Sequence, residues 1–308
     1  MKGGNRKFSR TGVHHVYQRA QDRGIIFYTV IDRLVYLSIL SVKARGYDIH
    51  VLALAIMFSH THQSCMAETR EQLSKYIQDS SSIFARVYNR HYGLSGSLFA
   101  RPFGSSLKRS AKEIRSNLAY VNNNHSEKGL CSSAIHARWN LLAYKDRKNP
   151  FSEPVGDSAS VRLHYAFSRV DSAALKGKHL TYKMLLKAYE GLDALEREQL
   201  TDYIISRYPL VDYAAAEGFF NGFDKMLIAF DSNSGNEYGI REEYSSAPDT
   251  AYAEMAAIAE KNALIAIEKP SLLRFPEEKR QRMARAFLEQ TSARKFQICK
   301  FLHLPDPE

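Results

Sequence analysis

The sequence predicts an α+β fold: an antiparallel sheet with helices packed on one face, followed by a mainly α-helical region. Three observations lead there. Short β-branched and aromatic runs alternate with longer stretches of helical apolar spacing over roughly the first 125 residues. Their order is β-α-β-β-α-β-α, which fits an antiparallel sheet carrying helices. Beyond residue 160 helical spacing dominates.

The elements follow in chain order. Residues 13–19 (VHHVYQR) are β-branched and aromatic and predict a strand. Val30 to Arg45 places Ile31, Leu34, Val35, Leu37, Ile39, Leu40 and Val42 at helical spacing, with Gly46 as a stop. Asp48 to Phe58 reads as a buried strand, and His62 to Glu68 as its hairpin partner. Thr69 to Tyr92 reads as a long helix with Leu73, Tyr76, Ile77, Ile83, Phe84, Val87 and Tyr88 on its apolar face. Gly93 to Phe103 reads as a loop with a short strand, and Ala111 to Asn124 as a helix. Residues 146–160 (DRKNPFSEPVGDSAS) are polar and carry Pro and Gly, which predicts a linker. The expected division is therefore 1–148 and 149–308. In the second part, helices are expected at Tyr182–Leu192, Glu196–Arg207, Tyr213–Phe230, Ala251–Glu268, Pro276–Leu288 and Ser292–Leu302, with a polar loop from Asp231 to Thr250. Ser292–Leu302 has the look of the first half of a helix-turn-helix. The preferred reading is a three-helix packing element whose basic face aids DNA binding or oligomerisation.

The chain has 308 residues, enough for one large or two ordinary domains. Its net charge of +10 is unevenly spread: residues 1–150 hold 23 Lys and Arg against 9 Asp and Glu, and residues 151–308 hold 20 against 24. A basic excess confined to one half is the footprint of a polyanion binder. No apolar run approaches the roughly 20 residues that span a bilayer, so no membrane association is expected. The basic N-terminus lacks an apolar stretch, so no secretion signal is expected. Cys65, Cys131 and Cys299 are odd in number and widely spaced, which fits a reduced, cytoplasmic setting.

The stretch that carries chemistry is His60-Thr61-His62. Alternation along a strand puts both imidazoles on one face, a natural pair of metal ligands. Tyr120 and Asn124 lie four apart and share a helix face. Asn124 can offer an amide oxygen to a hard cation, and Tyr120 a hydroxyl beside it. Together these residues point to phosphodiester chemistry with a tyrosine nucleophile. A phenol ionises near pH 10, so the attack needs help from a metal or a base.

The order of elements and five local motifs resemble the single-tyrosine HUH transposases, in particular the REP-associated tyrosine transposase branch. The motifs are His15-Val16-Tyr17-Gln18-Arg19, Met57-Phe58-Ser59-His60-Thr61-His62, Gly96-Ser97-Leu98-Phe99-Ala100-Arg101-Pro102-Phe103, Tyr120-Val121-Asn122-Asn123-Asn124 and Trp139-Asn140-Leu141-Leu142-Ala143-Tyr144. They span roughly residues 13–144. The resemblance implies a ferredoxin-like HUH nuclease domain, with His60, His62 and Asn124 as ligands of Mg²⁺ or Mn²⁺ and Tyr120 as nucleophile. It implies nicking and rejoining of hairpin-associated single-stranded DNA through a 5′-phosphotyrosine link, as in DNA transposition, in the cytoplasm at the nucleoid. A homodimer is one expected state, and cleavage in cis or in trans is left open.

Three positions depart from the family pattern. Thr61 stands where a bulky apolar residue is usual. His125 follows Asn124 where proline is usual, and either perturbs or replaces the third ligand. Gly104-Ser105-Ser106 stands where basic residues are common, and Lys108 and Arg109 come slightly later. DNA-contacting cations are expected among Arg10, Arg19, Arg23, Arg101, Lys108, Arg109, Lys112 and Arg115. Base-stacking rings are expected among Tyr17, Phe99 and Phe103. The alternative is a domesticated nucleic-acid binder that keeps the fold and has lost turnover; a further one is a bland RNA-binding module.

Overall fold

The computed structural model describes residues 7–21, 24–100, 102–156, 159–232, 247–261 and 272–305. Its sheet has four antiparallel strands in the order β2-β3-β1-β4: β1 (Val13–Arg19), β2 (His50–Ile56), β3 (His60–Met66) and β4 (Gly104–Lys108). Between them run α1 (Val30–Tyr47) and α2 (Arg70–Tyr92), and α3 (Ala111–Glu127) follows β4. Each of these helices begins with a capping box, in which the first residue's hydroxyl and the side chain three residues on satisfy each other's backbone N–H. The pairs are Thr29 with Asp32, Thr69 with Gln72, and Ser110 with Glu113. Asp48 ends α1 and Gly93 ends α2 in the left-handed region, at φ 52° and 63°.

The α+β class and the element order hold, but the placement of helices on one face does not. On β3, Thr61, Gln63 and Cys65 point toward α1 and α2: the Tyr76 hydroxyl donates to Gln63 Oε1 at 2.6 Å. The intervening His62 and Ser64 face α3, where the Ser64 hydroxyl donates to Asn117 at 2.7 Å. The sheet therefore carries α1 and α2 on one side and α3 on the other. Both faces are buried; on the second, the polar β3 positions His62 and Ser64 lie beside an apolar cluster that joins Val13, Leu52, Ala55 and Met57 to Ile114, Leu118 and Val121 of α3. A polar strand face of this kind reads from sequence as exposed.

Gly104 has a steric explanation. Tyr17 pairs with Gly104 across β1 and β4, and its ring lies over the glycine so closely that a Cβ there would collide with it. Gly104→Ala should displace the ring or part the strands, at a cost of about 1–3 kcal/mol. Urea unfolding measures this, and an unchanged midpoint would contradict it.

The helical region comprises α4 (Val161–Leu175), α5 (Tyr182–Tyr189), α6 (Ala194–Arg207), α7 (Tyr213–Gly218), α8 (Phe223–Ser232), α9 (Thr250–Lys261), α10 (Glu277–Gln290) and α11 (Lys295–Leu302). Helix α4 was not expected from the sequence. The single helix expected over Tyr213–Phe230 is broken by Asn221 at φ 59° and Gly222 at φ 121°. The polar loop from 231 to 250 and the end of the helix expected at Ala251–Glu268 fall largely outside the described residues. The region packs against α1: the Ser41 hydroxyl donates to Pro209 O, Leu180 N donates to the Ser38 hydroxyl, and the Tyr182 hydroxyl donates to Asp32. It also covers α3, where Asn123 Nδ2 donates to Phe230 O at 2.8 Å. The stretch expected as a linker is tied down, with Phe151 N and the Ser152 hydroxyl donating to buried Asp202. Among the described residues, no helix is long and apolar enough to cross a membrane.

Candidate active site

The antiparallel register brings the candidate side chains together. Tyr17 pairs with His62 and Arg19 with His60 across β1 and β3. His15, two residues before Tyr17, shares its face of β1 and reaches the same cluster. His15 Nε2 and His62 Nδ1 are 2.9 Å apart, a hydrogen bond between two buried imidazoles. The His60 and His62 rings are 5.0 Å apart and nearly perpendicular. From α3, the Tyr120 ring stands edge-on to both His62 (5.5 Å) and His15 (5.7 Å). Sequence had brought His60, His62 and Tyr120 together. It missed His15, whose place depends on a pairing register set by residues some fifty positions away. Its position two residues from Tyr17 on a predicted strand was the available signal.

Asn124 lies one turn beyond Tyr120, and its Nδ2 donates to the Tyr120 carbonyl at 2.8 Å. The amide N–H is thus spent on its own helix, and Oδ1 is the atom left to serve as a ligand. His125 Nε2 lies 3.3 Å from the Ile56 carbonyl, which anchors the end of α3 to the end of β2. That carbonyl only accepts, so Nε2 carries the proton in this contact. Burial is the first cause lowering the basicity of His60, to about 3, with Lys300, Lys128 and His125 adding repulsion. Burial likewise pushes His62 well below 6.5, helped by His60, His15 and His125. Both imidazoles are therefore neutral at pH 7, with lone pairs able to coordinate. Tyr120 and Asn124 are each only 2% exposed.

The expected cations are differently placed. Arg19, Arg109, Lys112 and Arg115 are exposed at the end of β1 and the start of α3. Lys108 is buried, at 4% exposure. Arg10 pairs with Glu68. Arg23 and Arg101 lie outside the described residues. Of the expected stacking rings, Phe99 is a core residue against Tyr36 and Phe84, while Tyr17 and Phe103 are half-buried.

The start of α3, which carries Tyr120, is held by Glu113. Its carboxylate accepts from Arg109 N (3.0 Å), Ser110 N (2.8 Å) and the Ser110 hydroxyl (3.0 Å). Those donors, backbone ones first, lower its pKa from 4.5 to about 2. A depressed folded value means this support is complete above pH 4.5 and is lost as pH falls through 2. An NMR titration of the Glu113 carboxyl should show a midpoint near 2; a midpoint near 4.5 would contradict the capping account.

The chain matches no protein-family profile and no curated protein. A solved structure described as a REP-associated tyrosine transposase bound to a REP hairpin is similar to part of it. The two share 15% identity and a TM-score of 0.40, over 52% of this chain and 94% of that one. A likeness of that size assigns no family.

Proposed function

We propose that the chain is an HUH-type tyrosine nuclease acting on single-stranded DNA, with Tyr120 as nucleophile and His60, His62 and Asn124 as the divalent-metal ligands. The observation that carries this reading is the meeting of Tyr120 with the His15–His62 pair on one face of the sheet. Two neutral imidazoles and one amide oxygen form a donor set that suits Mn²⁺ and, less well, Mg²⁺, which favours oxygen ligands. His62 Nδ1 is taken by His15, so Nε2 is the nitrogen that would ligate, with His15 as the orienting partner. Among the described residues, no three His, Cys, Asp or Glu side chains form a metal-holding group. The site's remaining oxygen ligands would thus come from the DNA and water. A divalent cation, when bound, polarises the scissile phosphate.

The phenol oxygen of Tyr120 attacks the phosphorus and loses its proton. The bond to the 3′ oxygen breaks, and that oxygen leaves as a hydroxyl. The product is a 5′-phosphotyrosine link whose energy is kept for rejoining, since the 3′-hydroxyl can attack it in reverse. Exposed Arg19, Arg109, Lys112 and Arg115 supply phosphate contacts along β1 and α3.

The test incubates the protein with labelled single-stranded hairpin DNA from the flanks of its own gene, with Mn²⁺ or Mg²⁺. A covalent adduct on a denaturing gel that EDTA abolishes is the expected result. The burial of Tyr120 favours a second reading, a binder on the same fold without turnover. It predicts salt-sensitive DNA binding, no adduct and no effect of metal.

A further inference from the structure

A cleft of about 210 Å³ opens at the β2–β3 turn, beside the end of α3. Its walls include Arg33 of α1, Ile56 and Phe58 of the turn, His125 of α3, and Leu130 and Trp139. The turn leads directly into His60, and His125 follows Asn124, so the cleft adjoins the candidate active site.

Two of the residues that line it each carry a buried polar atom without a hydrogen-bond partner. The Arg33 guanidinium is buried and makes no ion pair among the described residues; one N–H donates to Thr29 O at 3.3 Å, and Nε–H has no partner. Neighbouring Asp32 spends both carboxylate oxygens on Thr29, Tyr92 and Tyr182. On the opposite count, His125 Nδ1 is a buried acceptor with no partner, because Nε2 holds the proton against Ile56 O. Leaving such groups unmet costs about 1–3 kcal/mol each, which a ligand that satisfies them recovers. The guanidinium also lies 4.7 Å from the Phe58 ring centre and 5.6 Å from that of Trp139, so aromatic faces flank the donor.

We propose that this cleft holds one unpaired nucleobase of the DNA strand, accepting from Arg33 and donating to His125 Nδ1, with Trp139 as the stacking wall. A backbone phosphodiester would satisfy Arg33 but offers no donor to His125, whereas every nucleobase carries an acceptor and a donor side by side on its pairing edge. The volume is below the roughly 300–1,000 Å³ of pockets for larger ligands, which fits one base rather than a whole nucleotide. Cys131 and His136 also line the cleft but are already bonded, to Ser133 O and to the Ser132 and Ser133 hydroxyls. The inference rests on the DNA-binding reading for the source of the base.

Trp139 is the chain's single tryptophan, so its fluorescence reports on this cleft alone. Adenosine and cytidine, which carry a base and no phosphate, should change that fluorescence saturably, and dimethyl phosphate, a phosphodiester without an O–H, should not. Arg33→Met should weaken the response about tenfold; if that variant fails to fold, the comparison on the unaltered protein decides. A saturable response to dimethyl phosphate that displaces the nucleosides would overturn the proposal in favour of an anion site. No response to nucleosides, or to a single-stranded oligonucleotide whose binding is established by anisotropy, would overturn it as well. The adduct assay separates the two claims: an adduct without a Trp139 response removes only the base pocket, and a nucleoside response without an adduct removes only the chemistry.

Discussion

Tyr120→Phe should abolish the covalent protein–DNA adduct, lowering its yield at least about a thousandfold, while leaving hairpin affinity within about twofold. The substitution removes one oxygen and keeps the ring against His15 and His62, so packing on the sheet survives. Stability should change by no more than about 1.5 kcal/mol, the range of one hydrogen bond. Denaturing gels measure the adduct, and anisotropy of the labelled hairpin measures binding. An adduct of unchanged yield in the variant would remove Tyr120 from the chemistry. For this reaction to occur at a residue that is 2% exposed, DNA must reach the phenol through movement of what covers α3. Helices α7 and α8 pack there, with Ala216, Phe220, Met226 and Phe230 in the same apolar cluster as Tyr120.

Asp32→Ala should be the most damaging single change to the fold, costing about 3–5 kcal/mol. The carboxylate is fully buried and joins three helices. Oδ1 accepts from the Tyr92 hydroxyl of α2 at 2.8 Å and the Tyr182 hydroxyl of α5 at 2.7 Å. Oδ2 accepts from Thr29 N at 2.8 Å and from the Thr29 hydroxyl, closing the cap of α1. Truncation orphans two buried tyrosine hydroxyls and opens the cap at once. Burial raises the pKa of Asp32, with the hydrogen bonds of Tyr182, Tyr92 and Thr29 opposing it. A raised folded value means that charging this group works against folding, so its contribution is complete at low pH and falls as pH rises through the folded value. Asp32→Asn keeps an acceptor and no charge, and should cost clearly less than alanine. Urea unfolding of the three proteins decides; equal losses for alanine and asparagine would contradict the hydrogen-bond account.

Much of the first half was legible because its signals are local. Val30 and Tyr92 were placed as helix limits from apolar spacing, and the capping box at Thr29 and the left-handed cap at Gly93 that the structure adds there are equally short-range features. The pair His60 and His62 was legible because strand alternation needs no distant partner. What escaped depends on contacts far apart in the chain. The opposite placement of α3 turns on Ser64 meeting Asn117, and the role of His15 on its meeting His62. Helix α4 was hidden because its exposed face carries Val161, Tyr165 and Leu175, which blurs the apolar spacing. The break before α8 rests on Asn221 and Gly222, which adopt positive φ without interrupting the apolar pattern on either side.

The most direct test of the central claim maps the adduct. Protein incubated with the hairpin strand and Mn²⁺ is digested with trypsin and nuclease and read by mass spectrometry. A nucleotide phosphate attached to the peptide containing Tyr120, and fragment ions placing it on that tyrosine, is the predicted result. The phosphate on another residue, or no modified peptide from protein that demonstrably binds the hairpin, would contradict the assignment of a tyrosine nuclease.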